Sequence, residues 1–138
     1  MIKKNENYSA RDIQVLEDLS PILHRPGMYT DPKNPNHALV EIIDNSADEG
    51  LAGFAKTITV NLREDGSAEV MDDGRGIPVD VHEKKNIPAV QLIFTTLHSG
   101  GKFFKTESSS AYRIAGGLHG VGVCVANALS KKLEVGVK

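Results

Sequence analysis

Hydrophobic positions along this chain recur first at a 3.6-residue period, then at a period of two, then at 3.6 again. The clearest helical segment covers residues 37–51: Leu39, Ile42, Ile43, Ala47 and Gly50 fall on one side, and Glu41, Asn45 and Asp48 on the other at i, i+4 and i+7. Asn36 is the expected N-cap and Gly53 the expected terminator. Upstream, Ser9 is expected to cap a short helix over 10–19 that buries Ile13 and Leu16. Pro21 and the run Arg25-Pro-Gly-Met-Tyr29 read as turns, and 31–36 as a loop whose prolines disfavour helix. Downstream, residues 57–62 alternate, with Ile58, Val60 and Leu62 inward. Glu64-Asp-Gly66 reads as a hairpin turn, and 67–71 as the return strand with Ala68 and Val70 inward. Pro88 opens another helix with Val90, Ile93, Phe94 and Leu97 as its core face, stopped by Ser99-Gly-Gly101. Residues 102–115 lack a period and read as a lid between glycines. A glycine segment at 116–122 leads into a helix over 121–129, and 133–137 begins a strand. A chain that stops inside a strand reads as cut on its C-terminal side.

The chain has 138 residues, 40% hydrophobic and 25% charged, which fits one ordinary domain. Its net charge of −2 sets up no basic field, so any role on DNA would be indirect or lie elsewhere. Aromatic residues at 5%, with no tryptophan, argue against a stacking platform for single strands. No apolar run approaches the roughly 20 residues of a membrane span, and the first residues lack the apolar core of a secretory signal. The single cysteine, Cys124, excludes an internal disulfide and fits a reducing compartment. The expected location is cytoplasmic.

The helix over 37–51 carries four acids, Glu41, Asp44, Asp48 and Glu49, and no lysine or arginine. Surface helices usually alternate acids with lysines in i,i+4 pairs. An uncompensated acidic face suits a metal–polyphosphate complex or plain solvation, and the helix alone leaves both open. Gly116, Gly117, Gly120 and Gly122 ahead of a helix would let backbone amides and the helix dipole meet a phosphate. The spacing is neither a Walker loop nor a dinucleotide fingerprint, and a flexible loop with a tight helix entry fits equally. Asp72, at a strand end before a glycine turn, can accept from an exocyclic amine such as adenine's, or can be an acidic turn. Lys102 stands where it can reach a phosphate or remain solvated. The histidines at 24, 37, 82, 98 and 119 lack zinc-ligand spacing. Cys124, between Val121 and Val125, reads as an inert core thiol.

Taken together, these motifs resemble one family. Glu41-x3-Asn45-x2-Asp48-Glu49, Asp72-x-Gly74-x-Gly76-Ile77-Pro78 and Gly116-Gly-Leu-His-Gly-Val-Gly122 are similar to the ATP-binding Bergerat fold. That fold is shared by bacterial type II topoisomerases, a heat-shock chaperone, mismatch-repair ATPases and sensor kinases, the GHKL ATPases. Arg25-Pro-Gly-Met-Tyr29, Leu97-His-Ser-Gly-Gly-Lys-Phe103 and Asn127-Ala-Leu-Ser130 resemble the ATPase subunit (the B-type subunit) of type II DNA topoisomerases. Tyr29-Thr-Asp-Pro, Pro35-Asn-His37 and Ile43-Asp-Asn-Ser46 resemble topoisomerase IV more than gyrase. The resemblance runs from about Tyr8 to the last residue. It implies an α+β fold, a two-layer sandwich with helices on one face of a mixed, mostly antiparallel sheet. The chain would be an N-terminal ATP-binding domain over 1–138, partial at its C-terminal side, with an arm over 1–8 and a lid over 99–119.

The resemblance also implies roles for the matching positions. Glu41 corresponds to the general base and Asn45 to the single protein ligand of Mg2+. Asp72 corresponds to the adenine reader, while Asp48 and Glu49 line the pocket and Glu49 pairs with Arg75 at its mouth. Gly76, Ile77 and Pro78 form a wall. Gly101, Lys102 and Tyr112, with Gly117, Leu118, His119, Gly120, Val121 and Gly122, form the lid and phosphate cradle, and Tyr8 reaches the partner subunit's nucleotide. The implied cofactors are ATP and Mg2+. The implied partners are DNA through the complete enzyme, a DNA-cleaving A-type subunit in a heterotetramer, a second copy in an ATP-induced dimer, and adenine-pocket inhibitors, with no membrane. Gly50 departs from the usual alanine and Cys124 from the usual serine. The family's later Gly-Thr segment and the following domain, whose lysine contacts the terminal phosphate, are absent from these 138 residues. The implied activity is ATP hydrolysis driving strand passage, decatenation and relaxation. Gyrase, with the same chemistry, is the alternative, and the isolated chain is expected to be a nucleotide- or inhibitor-binding module with little or no turnover.

Overall fold

The computed structural model describes residues 9–12, 16, 18–99 and 121–138. Four α-helices, α1 (Ser20–His24), α2 (Asn36–Leu51), α3 (Ala89–Thr95) and α4 (Gly122–Leu129), accompany a hairpin of β1 (Ile58–Leu62) and β2 (Ala68–Asp72). The fold is α+β, as expected. Among the described residues the sheet is this antiparallel pair, with Ile58 opposite Asp72, Val60 opposite Val70 and Leu62 opposite Ala68. The turn closes through Gly66 at φ +80, a backbone conformation that glycine adopts without strain.

Helix α4 is the hub, since α1, α2 and α3 all pack on it. Its sequence, Gly-Val-Cys-Val-Ala-Asn-Ala-Leu, is short-chained enough to admit three neighbours. The core gathers Ile22, Cys124 and Val125, flanked by Leu19, Tyr29, Leu97 and Ala128. The Cys124 thiol donates to the carbonyls of Ile93 at 3.1 Å and Thr96 at 3.2 Å, and the Asn127 amide donates to Phe94 O at 2.9 Å. Two of these carbonyls belong to the last turn of α3, where carbonyls lack partners within their own helix. Burial pushes the Cys124 thiol up to about 11, so it stays protonated at neutral pH, the inert thiol expected.

Several boundaries differ from expectation. Among the described residues the helix expected over 10–19 does not appear: a 3-10 turn covers Ala10–Asp12, Leu16 is exposed rather than buried, and Asp18 takes φ +54 before α1. Ser9 does act at the start of that turn, its N–H donating to Asp12 Oδ2 at 2.7 Å and its Oγ accepting from Arg11 N. Pro21 lies in the first turn of α1 rather than in a loop, where its missing N–H costs nothing. Pro35, not Asn36, precedes α2, and Asn34 Oδ1 takes the Asn36 N–H at 3.2 Å. Gly53, at φ +82, ends α2 as expected. Pro88 is the cap of α3 rather than its first residue, and α3 stops at Thr95, four residues before Ser99. Residues 133–137 form no strand, because no ladder partner meets them among the described residues.

The largest correction concerns the sheet face. Ile58, Val60 and Leu62 share a face as the alternation required, yet they are exposed, and Ala68 is exposed too. Periodicity sorts side chains onto faces but does not supply the layer that covers one. Among the described residues, α2 packs on the hairpin.

Gly50 lies in the last turn of α2, where an added Cβ would meet only the Ala55 carbonyl at 3.9 Å, an ordinary contact. Gly50→Ala is therefore expected to stabilise the fold by about 0.5–1 kcal/mol, through lower unfolded-state entropy. A higher urea midpoint with an unchanged slope is the readout.

Candidate functional site

Helix α2 buries three polar residues more deeply than its aliphatic ones. Ser46, Asp48 and Glu49 are buried, while Leu39, Ile42, Ile43 and Ala47 are only half-buried. The segment after β2 folds back onto Glu49. Arg75 grips Glu49 in fork geometry, Nη2 to Oε1 at 2.9 Å and Nε to Oε2 at 3.1 Å, with the Arg75 backbone N–H adding a third bond at 3.3 Å. Its guanidinium also lies 3.5 Å from the centroid of the Phe54 ring, a cation–π contact just past the end of α2. The pairing of Glu49 with Arg75 is thus present.

Two adjacent carboxylates divide their work at the end of β2. Asp73 Oδ1 accepts the backbone N–H groups of Lys56 at 2.7 Å and Thr57 at 2.9 Å, which holds its carboxyl below the usual range and ties down the base of the hairpin. Asp72 turns instead toward α2: Ser46 Oγ donates to its Oδ2 at 2.7 Å and Gly74 N donates to its Oδ1 at 3.0 Å. Gly74 must be glycine here, since a Cβ would come within 2.8 Å of Asp72 Oδ1 and 3.1 Å of the Glu49 side chain. Gly76 takes φ +73, and its missing Cβ leaves room for Val137. Half-buried Ile77 and exposed Pro78 continue the segment.

Glu41 projects from the second turn of α2 toward the start of α4. Its Oε2 lies over Gly122, the first residue of α4, where any Cβ would collide with the carboxylate. Its Oε1 faces His37 Nε2 at 4.0 Å. Asn45, one turn further on, is half-buried. The described part of the arrangement is therefore a helix carrying Glu41, Asn45, Asp48 and Glu49, with Asp72 and Arg75 at one end and Val121 and Gly122 at the other. Tyr8, Gly101, Lys102, Tyr112, Gly117, Leu118, His119 and Gly120 lie outside the described residues, as do the arm over 1–8 and nearly all of the lid.

Two neighbours of these groups carried little signal in the sequence. His37 stands at i−4 from Glu41, so helical spacing alone places it on the same side. Ser46 had no such cue, because its partner Asp72 is 26 residues away. Replacing Arg75 tests the clamp. Arg75→Ala removes the fork from a buried carboxylate and the contact with Phe54, and it is expected to cost about 2–3 kcal/mol, below the full buried-pair range because Arg75 is partly exposed. Equilibrium unfolding in urea measures this, with Arg75→Lys recovering only part of the loss.

Known proteins are similar to this chain in sequence and fold. Residues 30–138 match the family model described as histidine kinase-, DNA gyrase B-, and HSP90-like ATPase. The chain is 56% identical over 133 residues to the B-type subunit of DNA topoisomerase 4 from Francisella tularensis, covering 96% of this chain and 21% of that protein. It is 53% identical over 135 residues to the B-type subunit of DNA gyrase from Thermotoga maritima, again covering 96% and 21%. The solved topoisomerase IV ATP-binding domain of Francisella tularensis, in complex with a small-molecule inhibitor, matches with a TM-score of 0.65 and 52% identity over 84% of this chain and 50% of that one. The chain spans about a fifth of the length of these two curated relatives. It belongs to the family of histidine kinase-, DNA gyrase B- and HSP90-like ATPases.

Proposed function

We propose that this chain is the nucleotide-binding part of the ATPase subunit of a type II DNA topoisomerase of the topoisomerase IV kind, acting in the cytoplasm. The observation that carries this reading is the gathering of Glu41, Asn45, Asp48 and Glu49 on one rigid helix, bracketed by Asp72 at one end and the glycine entry to α4 at the other. In this reading Glu41 takes the proton of a water as its oxygen attacks the terminal phosphorus of ATP, in line with the departing ADP oxygen. Positioning and charge stabilisation do most of the work in such transfers. Asp72 accepts from the adenine amine. Ser46 and Gly74 N–H both donate to that carboxylate and fix its plane, so that it meets the base in one orientation. Glu49 and Arg75 hold the segment with Gly76, Ile77 and Pro78 as a pocket wall, and Val121 and Gly122 open the helix that faces the phosphates. Gly101, Lys102, Tyr112 and the run from Gly117 to Gly120 complete the lid and cradle, and Tyr8 reaches a second copy.

The donor set suits magnesium. Among the described residues no group of three or more His, Cys, Asp or Glu side chains is disposed to hold a metal by itself. A hard octahedral ion carried in by triphosphate oxygens and waters needs only one further oxygen, which the Asn45 amide would offer. When bound it would neutralise charge on the phosphates.

Decatenation and relaxation of DNA, the A-type subunit in a heterotetramer and the ATP-induced dimer belong to this proposal for the whole protein. So does sensitivity to adenine-pocket inhibitors, which the inhibitor complex of the 52% identical domain supports. Among the described residues, no helix is long and apolar enough to cross a membrane. Gyrase is the second reading, favoured by the 53% identity to the Thermotoga maritima protein. The 138-residue chain alone would bind nucleotide without appreciable turnover.

Two substitutions test the assignment in the full-length subunit. Glu41→Ala is expected to lower ATP hydrolysis by at least about 10²-fold while leaving ATP binding in place, and hydrolysis within about threefold of the parent would remove Glu41 from the role of base. Asp72→Asn, which replaces one acceptor oxygen with a donor, is expected to weaken adenine nucleotides by about tenfold or more. Calorimetry giving unchanged affinity would take Asp72 out of the site.

A further inference from the structure

The run Arg25-Pro-Gly-Met-Tyr-Thr30 has no assigned part in the chemistry above, yet the structure holds it firmly. Pro26–Met28 form a 3-10 turn in which Tyr29 N and Thr30 N both donate to Pro26 O, at 2.9 and 3.0 Å. Tyr29 packs against the core of Ile22, Cys124 and Val125. Thr30, the next residue, is therefore fixed in place before its side chain does anything. Its Oγ1 lies 2.8 Å from His37 Nδ1, and the opposite ring nitrogen, Nε2, faces Glu41 Oε1 at 4.0 Å. Three side chains from two separate elements thus stand in a row that ends on Glu41.

We propose that Thr30 is a positioning residue for hydrolysis, its hydroxyl orienting His37 so that Nε2–H is aimed at Glu41 Oε1. The proposal rests on the reading of Glu41 as the base. The tautomer of His37 decides between two arrangements. If the threonine O–H donates to Nδ1, the neutral ring carries its proton on Nε2 and presents a donor to the carboxylate. If Nδ1 carried the proton instead, a lone pair would face an anionic oxygen. Only the first arrangement is attractive at both ends. A separation of 4.0 Å exceeds a direct hydrogen bond, and such contacts commonly tighten when substrate is in place. With Oε1 facing His37 and Oε2 lying over Gly122, the two oxygens of the base are no longer equivalent. The carboxylate plane is set by the turn at 26–30 as well as by α2.

The test is steady-state ATPase of the full-length subunit assembled with its DNA-cleaving partner. Thr30→Val keeps the shape and removes the hydroxyl. It is expected to lower kcat by about tenfold, a small share of what acid–base catalysis supplies, while KM and the affinity for a non-hydrolysable ATP analogue stay within about twofold. Thr30→Ser, which restores the hydroxyl, is expected to lie within about twofold of the parent in both measures. The inference is overturned if Thr30→Val keeps its kcat, if Thr30→Ser is as slow as Thr30→Val, or if analogue binding falls together with kcat, as a merely structural tie would require. Glu41→Ala in the same assay separates the two readings. Hydrolysis that survives it sinks the assignment of the base, whereas an inactive Glu41→Ala beside an unimpaired Thr30→Val sinks only the role of Thr30.

Discussion

Glu49 cannot be taken out of water next to Asp48 without a cation, and the arrangement of the site follows from where that cation comes from. A buried carboxylate costs several kcal/mol unless it is paired and hydrogen-bonded. Helix α2 has no lysine or arginine of its own, so the countercharge must arrive from another element. Arg75 supplies it from the segment after β2, with two guanidinium bonds and one from its backbone. Once that fork is made, the path between β2 and Arg75 is short. Gly74 is pressed against Glu49, and Asp72 is brought within 2.7 Å of the Ser46 hydroxyl. One ion pair thereby fixes the distance between the helix and the strand end that carries the other carboxylate.

The same helix reaches the opposite end of the arrangement. Glu41 is two turns from Glu49, and it meets α4 at the residue where a side chain is excluded. α4 is in turn the element on which α1, α2 and α3 converge, so its first residue is placed by the core and not by a loop. The two ends are therefore held by different means: charge and hydrogen bonds at Asp72 and Arg75, and apolar packing behind Gly122. A nucleotide that spans them would meet two surfaces whose relative placement depends on the rigidity of the 16-residue α2.

What was legible in the sequence follows the range of the forces involved. The period of α2, its terminator Gly53 and the hairpin around Gly66 are local, and all three are present. Caps are settled by a single hydrogen bond and slid by one residue at Pro35 and at Pro88. The helix expected over 10–19 failed at Asp18, because aspartate tolerates the left-handed region and nothing in the hydrophobic period marks such a break. Burial was the least legible feature. The alternation at Ile58, Val60 and Leu62 defined a face but not a cover for it. The acids of α2 read as a ligand-facing or a solvated stripe alike, since the arginine that pairs with Glu49 lies 26 residues away. The link between Glu49 and Arg75 came from likeness to a family and not from spacing.

The glycines of the site show the same logic from the side of exclusion. Gly74 and Gly122 have no need of an unusual φ, because each is required by a neighbour that occupies the place of its Cβ: Asp72 and Glu49 in one case, Glu41 in the other. These neighbours are all acids, and two of them accept backbone N–H groups of the turn they approach, Asp72 from Gly74 and Glu49 from Arg75. A close approach of this kind trades a side chain for access to the backbone's positive end. It also means that Asp72 and Glu49 are held by bonds from main chain, which cannot swing away, as well as by other side chains. An acidic helix face that is solvated can tolerate lysines among its acids. One whose buried Glu49 takes its countercharge from Arg75 has no need of them, and α2 carries no lysine or arginine.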